Sequence, residues 1–215
     1  MIAIIDYDAG NMKSVEKALD HLGAEKTVTG DPEVIRAADK VILPGVGSFG
    51  SAMEKLVERG LDQTVREVAA SGTPLLGICL GLQMLFDSSE EAPGVPGLSI
   101  LPGKIIRFPA GLGLKIPHMG WNSLHFPQKS ALFEGIDEGA YVYFVHSYYL
   151  QCEDADAVAA ESEYGVTFHA AVAKDNVFGC QFHPEKSSDV GLNILRNFIN
   201  MECVRTAHGM KGGSI

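Results

Sequence analysis

Pro74-Leu-Leu-Gly-Ile-Cys-Leu-Gly-Leu-Gln-Met-Leu-Phe86 is the stretch that decides the fold. Its first half, Pro74 to Ile78, is a short apolar run of the kind that forms a strand buried on both faces. Its second half, Leu80 to Phe86, reads as a helix that opens with no intervening loop. Between them stands Gly77-Ile-Cys79-Leu-Gly81, the pattern in which a nucleophile sits on a tight turn from strand to helix. Such a turn needs small residues on both sides, because flanking side chains would collide with neighbouring strands. It also brings the thiol to a helix N-terminus, whose partial positive charge favours thiolate.

Outward from this elbow the same alternation repeats. Ile2–Ile5 is an apolar run ending at Asp6, followed by a helix that Asn11 or Ser14 can cap. Val15, Ala18, Leu19 and Leu22 share one face of that helix, and Gly23 stands where it should stop. Asp39 to Leu43 repeats the strand signal, and Pro44-Gly45-Val46-Gly47 is expected to break it sharply. Helical spacing returns from Phe49 to Val57 and from Leu61 to Ala70. Residues 90–113 are rich in Gly and Pro and predict loops with short strands. The later half carries β signals at Tyr141–Val145, Ala157–Ala160, Thr167–Val172 and Val177–Phe182, then a last helix through Leu192, Leu195 and Phe198. Strand and helix alternating in this way predict a three-layer α/β domain: a mostly parallel central sheet flanked by helices, flavodoxin-like. One domain over residues 1–203 is expected, with a mobile glycine-containing tail over 204–215.

Composition narrows the chemistry. At 215 residues with 46% apolar and 20% charged residues, the chain can bury a substantial core, which argues against disorder. A net charge of −10 repels phosphate backbones, so no nucleic-acid partner is expected. No apolar run approaches the roughly 20 residues of a membrane span, and Ile2 begins the first strand too early for a basic leader. The cysteines at 79, 152, 180 and 203 show no paired spacing, which predicts neither a metal knuckle nor a disulfide scaffold. A reducing, cytoplasmic setting is expected, with no metal and no organic cofactor.

A cysteine nucleophile needs a base held in one orientation. His183-Pro184-Glu185 follows the strand that begins near Val177, so His183 leaves the sheet at the edge where Cys79 leaves it. Glu185 is close enough in sequence to bond the far ring nitrogen, and Pro184 stiffens the turn between them. Each signal also has a plainer reading: Cys79 as a small buried residue between packing glycines, and His183 as solvated with Glu185 capping the helix near Ser187. Cys180, within an apolar run, reads as core. His21, His125, His169 and His208 lack partners nearby in sequence. The glycines of Pro44-Gly45-Val46-Gly47 allow a backbone amide to face outward, as a tetrahedral intermediate requires.

In this order, PGVG, GICLGLQ and HPE resemble the class I (triad) glutamine amidotransferases. Ile5-Asp6-Tyr7 with Gly10-Asn11, Pro117-His-Met-Gly-Trp-Asn122 and Tyr143-Phe-Val-His-Ser-Tyr148 are similar to the branch that serves imidazole glycerol phosphate synthases, and the likeness runs from residue 1 to about residue 200. The resemblance implies that Cys79 attacks the glutamine amide and forms a γ-glutamyl thioester, with His183 as base and then acid, oriented by Glu185. It implies an oxyanion hole at the amides of Val46 and Leu80, the first after a peptide flip coupled to the partner's ligand. It implies glutamine binding by Gly45, Gly47, Gln83, His146, Ser147 and Tyr148. A carboxylate is wanted for the ammonium end of glutamine, and Glu90 and Glu91 stand nearby in sequence. The implied partner is a (β/α)8-barrel cyclase subunit that receives the ammonia in histidine biosynthesis, met through Asn11, Trp121, Tyr143 and Lys186. Glutaminases of the anthranilate or aminodeoxychorismate type usually carry His where this chain has Leu82, and they lack the PHMGWN stretch. A non-catalytic docking homologue would not need an intact triad. A stand-alone cysteine peptidase would use Cys and His with similar logic, but Gln83 and the PGVG loop favour a small amide substrate. The opening turn, Tyr7-Asp8-Ala9-Gly10, departs from the pattern, where glycine is expected nearer the aspartate.

Overall fold

A computed structural model of the protein describes residues 1–8, 12–111 and 113–202. The chain opens with β1 (Ile2–Ile5), α1 (Met12–His21), β2 (Lys26–Thr29), α2 (Pro32–Ala37) and β3 (Lys40–Gly45). Two helices, α3 (Phe49–Glu58) and α4 (Leu61–Ala70), lead into β4 (Leu75–Cys79) and α5 (Leu80–Met84). The second half is mostly extended: β5 (Ser88–Ser89), β6 (Gly103–Arg107), β7 (His118–Ser123), β8 (Tyr141–His146), β9 (Tyr148–Cys152), β10 (Val158–Glu163), β11 (Thr167–Lys174) and β12 (Val177–Cys180). It closes on α6 (Ser188–Asn200).

The main sheet runs in the order β2-β1-β3-β4-β12-β11-β9-β6-β5, with β10 on β11. From β2 to β12 every pairing is parallel, and the antiparallel strands lie beyond β12. The parallel strands read as continuous apolar runs because both of their faces are covered. Along β1, Ala3 and Ile5 pack into the layer of α2, α3 and α4. Ile2 and Ile4 pack into the opposite layer, against α1 and α6. Strands β7 and β8 pair only with each other and form a separate two-stranded ribbon. Among the described residues no helix is long and apolar enough to cross a membrane.

Strands β2, β7 and β9 and helix α2 were not expected, and three of the expected elements near the site end elsewhere. Strand β3 does not break before Pro44 but runs on to Gly45, with Pro44 and Gly45 opposite Ile78 and Cys79. Pairing with β1 stops at Ile42, so the missing amide of Pro44 breaks no ladder bond on that side. Helix α5 ends at Met84, two residues short of Phe86, so the helix dipole behind Cys79 comes from a five-residue segment. Strand β12 stops at Cys180, three residues before His183. Asn11 and the tail from residue 203 lie outside the described residues.

The elbow is held by contact of bare backbones. A Cβ on Gly81 would stand 1.8 Å from the Leu43 carbonyl oxygen, and one on Gly45 would stand 2.7 Å from the Gly81 amide. Replacing Gly81 by Ala is therefore expected to cost at least about 3 kcal/mol. The thermal unfolding midpoint should drop by roughly 6 °C or more in a chain of this length. An unchanged midpoint would mean that the packing of β3 on α5 is not what fixes the elbow.

Candidate active site

Cys79 closes β4 with φ 55° and ψ −110°, a backbone conformation that side-chain-bearing residues avoid. Holding it there costs on the order of 1–3 kcal/mol, which the surrounding packing must supply. The turn puts the thiol at the carboxyl edge of the parallel strands, with 8% of the residue exposed. Leu80 is the first residue of α5, so its amide has no partner within the helix.

His183 arrives at the same edge from β12. Its backbone N–H donates to the Tyr143 carbonyl at 2.9 Å, and Ser187 Oγ donates to the His183 carbonyl at 2.6 Å. The imidazole Nδ1 donates to Glu185 Oε1 at 2.8 Å, which leaves Nε2 for the hydrogen bond with Cys79. Both side chains are almost wholly inaccessible, at 3% for His183 and 2% for Glu185. Burial disfavours the charged ring. Hydrogen bonds to Cys79 and Glu185, with their negative charges, outweigh it and raise His183 to about 9. Glu185 Oε2 is buried without a hydrogen-bond partner, so this carboxylate depends on the imidazolium beside it.

A cavity of about 340 Å³ opens over the sulfur, a size that suits a small molecule. Val46, Gly47, Leu80, Gln83, His146, Ser147 and Tyr148 line it together with Cys79 and His183. Gly45 is not in the lining; it packs behind Leu80 and Gly81. Gln83 Nε2 donates to the Tyr148 carbonyl at 3.2 Å and to Gln181 Oε1 at 3.0 Å. Both amide protons are thus committed, so a ligand can only donate to Gln83 Oε1. His146 borders the cavity, but its ring nitrogens are engaged by the Tyr148 carbonyl and by His118, so it contributes shape rather than a free polar atom.

Sequence reasoning left some neighbours unassigned. Glu91 lines the cavity and takes the Phe49 N–H at 2.8 Å, whereas Glu90 turns away to the amide of Arg107. Gln181 donates to Cys79 Sγ at 3.9 Å. The buried Tyr7 hydroxyl donates to the Pro44 carbonyl at 2.9 Å, just before Gly45-Val46. Burial first, and the charge of Cys79 second, push the Tyr7 phenol far above its ordinary range, so it stays a donor. The sequence named Glu91 without separating it from Glu90 and Tyr7 only within a motif, and Gln181 carries no local signal, because each acts on a residue distant in the chain. Cys180, by contrast, is fully buried core and its thiol is pushed up by burial.

The ribbon of β7 and β8 stands beside the cavity. Its outer face shows Met119, Trp121 and Tyr141, each at least half exposed, with Trp121 edge-on to Tyr143 at 6.1 Å. Lys186 is exposed on the 3-10 turn Pro184–Lys186, directly after His183.

Residues 3–201 match the family model described as "Glutamine amidotransferase class-I". The "Imidazole glycerol phosphate synthase subunit HisH" of Moorella thermoacetica is 55% identical over 92% of this chain and 93% of its own length. The protein of that name from Methanothermobacter thermautotrophicus is 51% identical, over 94% of this chain and 98% of its own. Among solved structures, one described as a glutamine amidotransferase superposes with a TM-score of 0.72 at 21% identity, covering 92% of this chain and 99% of that one. A second, PurLQS from Thermotoga maritima, gives 0.71 at 18% identity, covering 93% and 97%. At those identities the superpositions speak for the fold alone.

The charge on His183 links to stability with a definite sign. Its folded value, about 9, lies above the ordinary 6.5, so its contribution is complete below about pH 6.5 and is lost as the pH rises through 9. The unfolding midpoint of the unsubstituted chain should therefore exceed that of His183→Asn by a few degrees at pH 6.5, and the gap should close by pH 10. A gap that is constant with pH would show that the buried ring is not charged.

Proposed function

This chain belongs to the class-I glutamine amidotransferase family, and from that premise we propose that it is the glutamine-hydrolysing subunit of an imidazole glycerol phosphate synthase, acting in histidine biosynthesis. The relatives that carry that name match over nearly the whole chain at about half identity, and their name makes each of them one subunit of a larger enzyme. The observation that carries the chemistry is the buried row Cys79–His183–Glu185 beneath a small cavity.

In this reading the Cys79 sulfur attacks the carboxamide carbon of glutamine while His183, held by Glu185, stabilises the charge on sulfur. The developing oxyanion is taken by the amides of Leu80 and Val46. His183 passes its proton to the leaving nitrogen, so ammonia departs and a γ-glutamyl thioester remains on Cys79. The ring, now neutral at Nε2, then accepts a proton from water, whose oxygen displaces the thiolate and releases glutamate. Gln83 Oε1, Ser147 and Tyr148 hold the substrate, and Glu91 faces its ammonium group. Gly47, at φ 97° and with open space where a Cβ would stand, gives the loop beside Val46 room to reorient.

The ammonia goes to a partner cyclase subunit of (β/α)8-barrel form. Trp121, Tyr143 and Lys186 are proposed to meet it. What supports this is a half-exposed Trp121 set edge-on to Tyr143, on a ribbon whose neighbouring residues wall the cavity, beside an exposed lysine. Asn11 belongs to the same proposed contact and lies outside the described residues.

In a reconstituted complex, Cys79→Ala should lower glutamine-dependent synthesis at least about 1,000-fold and leave ammonia-dependent synthesis intact. Retained use of glutamine would remove Cys79 as nucleophile. Trp121→Ala should weaken assembly with the cyclase about tenfold or more, measured by calorimetric titration. Unaltered affinity would move the contact away from the ribbon.

A further inference from the structure

Beneath the exposed face of the ribbon lies a buried polar row that the hydrolytic steps do not use. His118 of β7 and His146 of β8 sit opposite each other, with His118 Nδ1 3.0 Å from His146 Nε2. Both rings are inaccessible, at 3% and 6%. His118 is stacked on Tyr164 at 4.0 Å and on Phe144 at 5.0 Å, inside an aromatic cluster.

The proton positions follow from the partners alone. His146 Nδ1 stands 2.9 Å from the Tyr148 carbonyl, which can only accept, so Nδ1 carries the proton and Nε2 of the neutral ring is an acceptor. His118 Nδ1 must then donate to it, which leaves His118 Nε2 as an acceptor. That nitrogen faces Asn122 Nδ2 at 3.4 Å. The Asn122 amide is itself oriented, since Oδ1 takes the Ser123 N–H and Nδ2 donates to the Glu163 carbonyl, both at 2.8 Å. Burial pushes His118 down to about 4 and His146 to about 3, in keeping with two neutral rings.

The row does not end at Tyr148. Its carbonyl also receives Gln83 Nε2, Gln83 donates to Gln181, and Gln181 donates to the Cys79 sulfur. We propose that His118, set by Asn122, is a positioning residue: a directed hydrogen-bond row through His146 fixes the Tyr148 carbonyl and Gln83, and so ties the ribbon that bears Trp121 to the wall that holds the substrate amide. The inference rests on the functional reading above for the identity of that substrate, but the row itself does not. A shift of Trp121 on docking moves its neighbour Asn122 and, through two rings with no alternative proton arrangement, reaches the cavity.

Two measurements test it. Nitrogen-15 NMR of the histidine-labelled, full-length chain should show both rings in the Nδ1–H form, with neither taking up a proton above pH 5. Either ring in the Nε2–H form, or titrating near 6.5, overturns the row without any substitution. The second compares His118→Phe, which keeps a ring in the aromatic stack but removes the donor, with His118→Asn, whose Nδ2 can reach the place of Nδ1. In the complex with a cyclase subunit, the Phe variant should raise KM for glutamine about tenfold with a smaller change in kcat, and the Asn variant should recover most of the loss. A packing role predicts the opposite order, and that order would overturn the proposal. If the unsubstituted complex does not consume glutamine, the functional reading fails while the ring spectrum still decides the row.

Discussion

The site depends on one steric fact: at three places between β3, β4 and α5 there is no room for a Cβ. A Cβ on Gly45 or Gly77 would stand within 3.0 Å of the backbone of Leu80, Gly81 or Leu82, and one on Gly81 would stand closer still to the Leu43 carbonyl. This contact lets α5 start directly on the end of β4 and forces Cys79 into positive φ. The strain is affordable because both layers of the core press on the strands concerned, with Leu43, Leu75, Leu76 and Ile78 all at 2% exposure or less. A looser elbow would let the turn relax and withdraw the sulfur from the edge where His183 arrives.

Electrostatics complete what sterics begin. A buried carboxylate with one unpartnered oxygen is an expensive object in a low-dielectric setting. Here it is not an isolated charge, because His183 stands between it and Cys79 and turns one N–H to each. The neighbouring ring of His146 goes the other way: buried, without a carboxylate, it remains neutral. Two histidines in one pocket are thus driven to opposite charge states by what each touches. The charged one can deliver a proton to a leaving group, and the neutral one can serve only as a hydrogen-bonding element.

How much of this was legible in the chain varies with the range of the interaction. The buried parallel strands were readable because burial on both faces makes them continuous apolar runs, and the helix Leu61–Ala70 because its apolar residues repeat at helical spacing. The elbow was readable because its glycines stand two residues to either side of Cys79. Strand Lys26–Thr29 was not: it lies at the sheet edge, half-buried throughout, and so carries no apolar run. The helix Pro32–Ala37 did leave a signal, an N-cap at Asp31 followed by proline, but its six residues give periodicity no purchase. At the site, His183 and Glu185 were legible as near neighbours in sequence. The pairing of His118 with His146 spans 28 residues and that of Gln181 with Cys79 spans 102, and no local pattern encodes either.

The distribution of rigidity carries the argument one step further. Cys79 ends a strand of the parallel core and His183 follows another by three residues, whereas the opposite wall, Val145 to Tyr148, joins the two-stranded ribbon to β9 of the main sheet. A lone pair of strands is marginal in water and needs something beneath it. Here that support is the aromatic and histidine cluster on its inner face, which leaves Met119, Trp121 and Tyr141 uncovered on the outer one. The ribbon nevertheless holds His183 directly, since the Tyr143 carbonyl accepts the His183 backbone N–H and the Tyr143 N–H donates to Ser187 Oγ. A body that covered the outer face would therefore reach both sides of the cavity through one strand: His183 by the strand's backbone, and Tyr148 with Gln83 by its buried side chains. Control placed on β8 costs the elbow nothing, because none of the glycine contacts that strain Cys79 involves that strand.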